Sequence, residues 1–158
     1  MARALSAEGV TWFEEPVSSD DLEGLREIRD LIDIDVAAGE YGYDLFYFER
    51  MLDAGAVDVL QADVTRCGGI TGLLAAGALA AAHSVPLSAH CAPAISAHAC
   101  CGVEAFEHLE YFHDHVRIEA MLFDGTLDPD RGFLEPDRSR PGLGLELKRE
   151  AAREYEAR

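Results

Sequence analysis

Glu14, Glu40, Asp63, His90 and Glu110 recur at intervals of 20 to 27 residues, and each closes or directly follows a short apolar run. Two acidic residues ending neighbouring runs, Glu14 and Glu40, offer the oxygen donors that a hard divalent cation such as Mg2+ takes. His90 is the best general base, because imidazole titrates near neutral pH and works when a carboxylate fixes its tautomer and supports its charged form. Asp63, one run earlier, can supply that hydrogen bond. Taken singly, a glutamate after a strand is usually a cap or a surface residue, and a histidine among apolar residues is usually structural. Only the shared placement of the set points to chemistry.

Positioning such a set requires a repeating scaffold. The apolar runs are Val10 to Phe13, Ile34 to Ala38, Val57 to Ala62, Val85 to Ser88 and Ala105 to Tyr111. Helix-like stretches separate them. Ser18 to Asp21 can cap a helix over Leu22, Leu25 and Ile28, and Asp44 can cap one carrying Leu45, Phe48, Met51 and Leu52. Gly68, Gly69 and Gly72 turn the chain into an Ala-rich helix that stops near His83, and a further helix runs from about Pro93 to Val103. Short strands joined by crossover helices require a parallel sheet. No GxGxxG follows the first run, and polar residues end several different strands. Both favour a (β/α)8 barrel, whose active site gathers at the C-terminal ends of many strands, over an open doubly wound sheet.

Five βα units do not close an eight-stranded barrel, which takes about 250 residues. At 158 residues the chain reads as incomplete. The division expected is a partial barrel over residues 1–145, opening on the tail of a helix, and a charged C-terminal tail over 146–158 with a helix from Leu147 to Ala157. The first barrel strands are expected to lie outside the chain. An open barrel exposes two strand edges, so the chain alone is expected to aggregate or oligomerise, to bind Mg2+ poorly and to be inactive.

The formal net charge of -17 disfavours nucleic acid and anionic membranes as partners. No apolar run is long enough to span a bilayer and no signal-like segment opens the chain. Cys67, Cys91, Cys100 and Cys101 lack metal-site spacing and read as small buried residues with reduced thiols, which gives a cytoplasmic expectation. His113 and His115 lie near the last run, where alternate residues on a strand lack the spacing of a metal site. Arg66 and Arg117 are expected in salt bridges.

The motifs WFEEP (Trp12 to Pro16), GE (Gly39, Glu40), DVTRCGGITG (Asp63 to Gly72), SAH (Ser88 to His90), ISAH (Ile95 to His98) and LEY (Leu109 to Tyr111) resemble, in order and spacing, the strand-end motifs of the mandelate racemase group of the enolase superfamily. The resemblance covers nearly the whole chain. It implies barrel strands four to eight, with a capping domain and the first barrel strands absent, metal-binding roles for Glu14 and Glu40 with Mg2+ as cofactor, and a catalytic dyad of Asp63 and His90. Glu110 becomes the acid that hydrogen-bonds the substrate carboxylate, and Glu15 a supporting neighbour. Asp63 stands where muconate-cycloisomerase-like members carry lysine, which implies dehydration of a sugar acid, with racemisation of a 2-hydroxy acid as the alternative. The full-length form is expected to be a homo-oligomer acting on a small carboxylate. A non-catalytic remnant or partner-dependent subunit is the reading from another class.

Overall fold

Every apolar run identified in the sequence becomes a strand, and the capping residues between them start helices. The computed structural model describes residues 2–156. Helix α1 (Ala2–Ala7) leads into β1 (Trp12–Glu14), and then α2 (Leu22–Leu31), β2 (Asp35–Ala38), α3 (Leu45–Asp53), β3 (Val59–Asp63), α4 (Gly69–Ala82), β4 (Leu87–His90), α5 (Pro93–Cys100) and β5 (Phe106–Leu109) alternate along the chain. The Asp21 and Asp44 carboxylates accept the backbone N–H groups of Gly24 and Tyr47, each at 2.9 Å, and thereby fix where α2 and α3 begin.

The five strands form one parallel sheet in the order β1-β2-β3-β4-β5. A doubly wound sheet reverses its strand order at a switch point and carries helices on both faces. Strictly sequential order with right-handed crossovers puts every helix on the same face, as in a barrel wall. The other face is curved enough for the first and last strands to meet across it: the rings of Trp12 on β1 and His108 on β5 lie edge to face, with centroids 4.5 Å apart. The sheet is an arc of a (β/α) barrel.

The core lies between the arc and its helices. Leu25, Phe48, Met51, Leu73, Ala76 and Ala80 pack on Val36, Ala38, Leu60, Ala62, Leu87 and Ala89, all fully buried. Replacing one of the large side chains with alanine costs roughly 2–5 kcal/mol. The central strands β3 and β4 are buried at every position. At the N-terminal end of the strands, Asp58 ties elements together, accepting Arg29 Nε at 2.6 Å and the Val36 N–H at 3.0 Å.

Three details differ from the sequence reading. The last strand is shorter than the run Ala105 to Tyr111, so Glu110 and Tyr111 stand just beyond it. His113 and His115 lie on a helix, α6 (His113–Leu122), rather than beside a strand. The segment expected as a helix over Leu147 to Ala157 begins instead as β7 (Glu146–Leu147), antiparallel to β6 (Phe123–Asp124), before the short α7 (Arg149–Arg153); Ala157 lies outside the described residues. Lys148 holds this hairpin to α6 through its N–H on the Leu122 carbonyl and its Nζ on the Ala120 carbonyl, each at 2.8 Å.

Candidate active site

Parallel pairing with Asp63 opposite His90 sets the centre of the site. Alternation along each strand puts Gln61 and Asp63 of β3 on the same face as Ser88 and His90 of β4. His90 Nδ1 donates to Asp63 Oδ2 at 2.8 Å, and both residues are buried. Asp63 Oδ1 accepts the Thr65 N–H and hydroxyl at 2.6 and 2.7 Å. Burial alone would raise the Asp63 pKa, but the hydrogen bonds from His90 and Thr65 outweigh it and hold the carboxyl below its ordinary value. Burial alone would lower His90. The bond to Asp63 and the charges of Glu40 and Glu110 outweigh that, and its pKa lies above the ordinary imidazole value.

His90 Nε2, the atom left free by this bond, faces two more carboxylates, Glu40 Oε2 at 3.2 Å and Glu110 Oε2 at 3.6 Å. Glu40 follows Gly39, where φ is +131° and a Cβ would stand 2.2 Å from the Gln61 carbonyl oxygen. Only glycine lets β2 approach β3 this closely and turn Glu40 over the dyad. Arg66 binds Glu40 Oε1 at 3.2 Å and the Glu40 carbonyl at 3.0 Å, and its Nε lies 3.4 Å from Asp63 Oδ2. The Tyr41 ring packs under its guanidinium. Arg66 is therefore in salt bridges, as expected, and they are part of the site.

Glu14 stands at the end of β1, with its carboxylate accepting Trp12 Nε1 at 3.0 Å. The structure thus joins Asp63, His90, Glu40 and Glu110 directly, while Glu14 approaches them from the neighbouring strand. Between lies Glu15, in the left-handed backbone region at φ 39°. Its Oε1 is buried without a hydrogen-bond partner among the described residues. Burial, then the charges of Glu40 and Glu14, push its carboxyl above the ordinary value. Carboxylates outnumber cations here, and an orphaned buried oxygen sits among them. A hard divalent cation with oxygen ligands suits that donor set, and Glu14 and Glu40 are two rim carboxylates that could hold it.

The sequence reading missed the role of Cys91, which it grouped with small buried residues. Cys67, Cys91 and Cys100 are buried, but Cys101 is exposed, because it follows the last turn of α5. Cys91 donates its S–H to Glu110 Oε2 at 3.2 Å and lies 3.3 Å from His90 Nε2. Its position directly after His90 was the available signal. His115 was also missed. It comes from α6, and its ring centroid lies 6.5 Å from that of His90. His113 is exposed and takes no part.

A sequential parallel arc with a carboxylate-supported histidine and acidic residues at its C-terminal rim defines the fold as part of a (β/α) barrel of the enolase type. The enolase C-terminal domain-like family model matches residues 1–152, and the chain belongs to that family. It is 31% identical to the D-galactonate dehydratase of Verminephrobacter eiseniae, over 86% of this chain and 38% of that protein. A mandelate racemase/muconate lactonizing enzyme-like protein from Rubrobacter xylanophilus superposes with a TM-score of 0.94 at 58% identity, over 99% of this chain and 44% of that one. An enolase from Bradyrhizobium complexed with magnesium and mandelic acid superposes with a TM-score of 0.88 at 31% identity, over 99% of this chain and 42% of that one. The chain spans about two fifths of the length of these relatives.

Proposed function

We propose that this chain carries the proton-transfer half of an acid-sugar dehydratase, an enzyme that removes a proton alpha to a carboxylate and then expels the beta hydroxyl. The observation that carries this reading is the His90–Asp63 pair, bonded at 2.8 Å with Nε2 turned to the open side among acidic neighbours. Asp63 keeps the Nδ1 proton in place, so neutral His90 presents Nε2 as the base. Proton uptake makes an imidazolium that Asp63 and Glu40 stabilise. Glu110 hydrogen-bonds the substrate carboxylate as it becomes an enolate, a task for which it takes up a proton when the substrate binds. His90 then returns its proton to the beta hydroxyl, which leaves as water, and the enol product tautomerises to a 2-keto-3-deoxy acid.

The cation Glu14 and Glu40 would hold is Mg2+, in keeping with the magnesium in the Bradyrhizobium relative. When bound, it supplies positive charge to a carboxylate that becomes dianionic as its alpha proton leaves. The dehydratase relative favours loss of water. The mandelic acid bound to the Bradyrhizobium enolase supports a second reading, racemisation of a 2-hydroxy acid by the same base.

The test is a panel of sugar acids and 2-hydroxy acids offered, with Mg2+ in D2O, to a polypeptide that includes the missing barrel strands. Dehydration gives a 2-keto acid; racemisation gives the epimer with deuterium at the alpha carbon. His90→Asn should lower kcat by about 10²- to 10⁴-fold, the usual contribution of a general base. Retained activity in that variant would remove His90 from the mechanism.

A further inference from the structure

Cys91 has no task in the reaction above, yet the chain places it at some conformational cost. Cys91 and Ala92 lie consecutively in the left-handed region, at φ 48° and 43°. Non-glycine residues held there cost roughly 1–3 kcal/mol each and gather at functional sites. The result of this turn is to aim Cys91 Sγ back beside the imidazole of the preceding residue. His90 Nε2, Cys91 Sγ and Glu110 Oε2 all lie within 4.8 Å of one another, with edges of 3.3, 3.2 and 3.6 Å.

Those edges can be compared with a coordination sphere. Zinc takes sulfur at about 2.3 Å and nitrogen or oxygen at about 2.0–2.1 Å in tetrahedral sites, which makes ligand-to-ligand separations of roughly 3.3–3.6 Å. The trio stands within a few tenths of an ångström of this before any cation arrives, its two sulfur edges being the ones that must lengthen. A metal-bound histidine almost always donates its second ring N–H to a carboxylate, and His90 Nδ1 already does so to Asp63 at 2.8 Å. A water can complete the sphere.

We propose that His90, Cys91 and Glu110 form a second metal site, selective for a thiophilic divalent cation such as Zn2+, whose occupation captures the base and stops the reaction. Binding converts the Cys91 thiol to a thiolate and releases its proton to solvent. Softness separates the two cations: Mg2+ prefers carboxylate and water, whereas thiolate and imidazole select zinc and its congeners. The carboxylate pair Glu14 and Glu40, at the ends of β1 and β2, thus suits one ion, and the trio at the ends of β4 and β5 suits the other. Binding follows from the geometry of the trio; inhibition rests additionally on the reading of His90 as the base.

Cd2+ is the probe, because a thiolate–cadmium bond gives an ultraviolet charge-transfer band. The protein carries Cys101→Ser, which removes the exposed thiol, and is titrated with Cd2+ in excess Mg2+. A saturable band at one equivalent is expected, and Cys91→Ser or Cys91→Ala in that background should remove it and weaken Zn2+ binding by about 100-fold or more. Circular dichroism establishes that each variant is folded. A band that survives both Cys91 variants, or no band from the folded parent, overturns the site. Cd2+ binding at Cys91 that leaves the turnover of an active full-length form unaffected would overturn the inhibitory role and the base assignment while the site itself stands.

Discussion

Exchanging Asp63 for asparagine changes one atom in shape but reverses the hydrogen-bond logic of the dyad. The side-chain oxygen of Asp63→Asn can still accept from Thr65, as Asp63 Oδ1 does now at 2.6 and 2.7 Å. Its amide would then face His90 Nδ1, where a carboxylate oxygen accepts at 2.8 Å. A neutral imidazole answers an incoming N–H by accepting at Nδ1, which moves its own proton to Nε2. Nε2, the atom proposed as the base, becomes a donor and cannot take a proton. The variant also loses a buried hydrogen bond to a charged group, worth about 1.5–3 kcal/mol, and leaves Arg66 Nε facing an amide. A net loss of about 2 kcal/mol corresponds to roughly 4–8 °C in Tm for a chain of this size.

The sign of the pH dependence follows from the two shifts. The folded pKa of His90 is raised above 6.5, so its contribution is full below that value and is lost as pH rises through the folded pKa. The folded pKa of Asp63 is lowered below 3.8, so its contribution is present above that value and is lost as pH falls through the folded pKa. The Tm difference between wild type and Asp63→Asn is therefore widest from 3.8 to 6.5 and narrows on either side. Thermal unfolding across pH, with long-range nitrogen–proton NMR on the His90 ring, reads both effects. A folded variant whose neutral His90 keeps Nε2 unprotonated would refute the tautomer argument, and an unchanged Tm within that window would refute the energetic one.

Gly39→Ala should displace Glu40 from His90 and Arg66, since the added methyl meets the Gln61 carbonyl at 2.2 Å; the crystal structure of the variant would show the shift, and an unmoved Glu40 would contradict it. Glu15→Gln should raise the Tm of the metal-free chain at neutral pH, because it removes a charge that burial and the neighbouring Glu40 and Glu14 disfavour. The advantage should vanish as pH falls below 4.5, where Glu15 is protonated in folded and unfolded chain alike. Asp58→Ala should cost about 1.5–3 kcal/mol in urea unfolding by freeing Arg29 and the Val36 N–H. In an active full-length form its kcat should stay near wild type, since the N-terminal ends of barrel strands serve stability.

The strand-end logic was legible because a parallel strand buried on both faces is a mostly apolar run, and the first ionisable residue in it marks the rim. Asp63 and His90 illustrate this: four buried positions precede Asp63 in β3 and three precede His90 in β4, and register does the rest. Asp21 and Asp44 were legible as caps for a similarly local reason. What distance in sequence concealed was contact geometry. Nothing local says that Cys91 turns back to His90 rather than into the core, because that depends on two backbone angles in the left-handed region. The placement of His115 depends on where α6 crosses the rim, and the hairpin of β6 and β7 pairs segments of only two residues, too short for an alternating pattern.

The contact between Trp12 and His108 also acts as a gauge of width. Strands four apart in an eight-stranded ring face each other across its axis, and such a ring has an interior just wide enough for side chains to fill. A pair of aromatic rings meeting edge to face from β1 and β5 therefore spans the full bore at that level. The diameter is written into one chain that forms only half of the circumference. Strands that complete the ring must conform to a curvature already chosen, so shortening Trp12 or His108 should loosen the calibre of the whole assembly rather than merely open a local void.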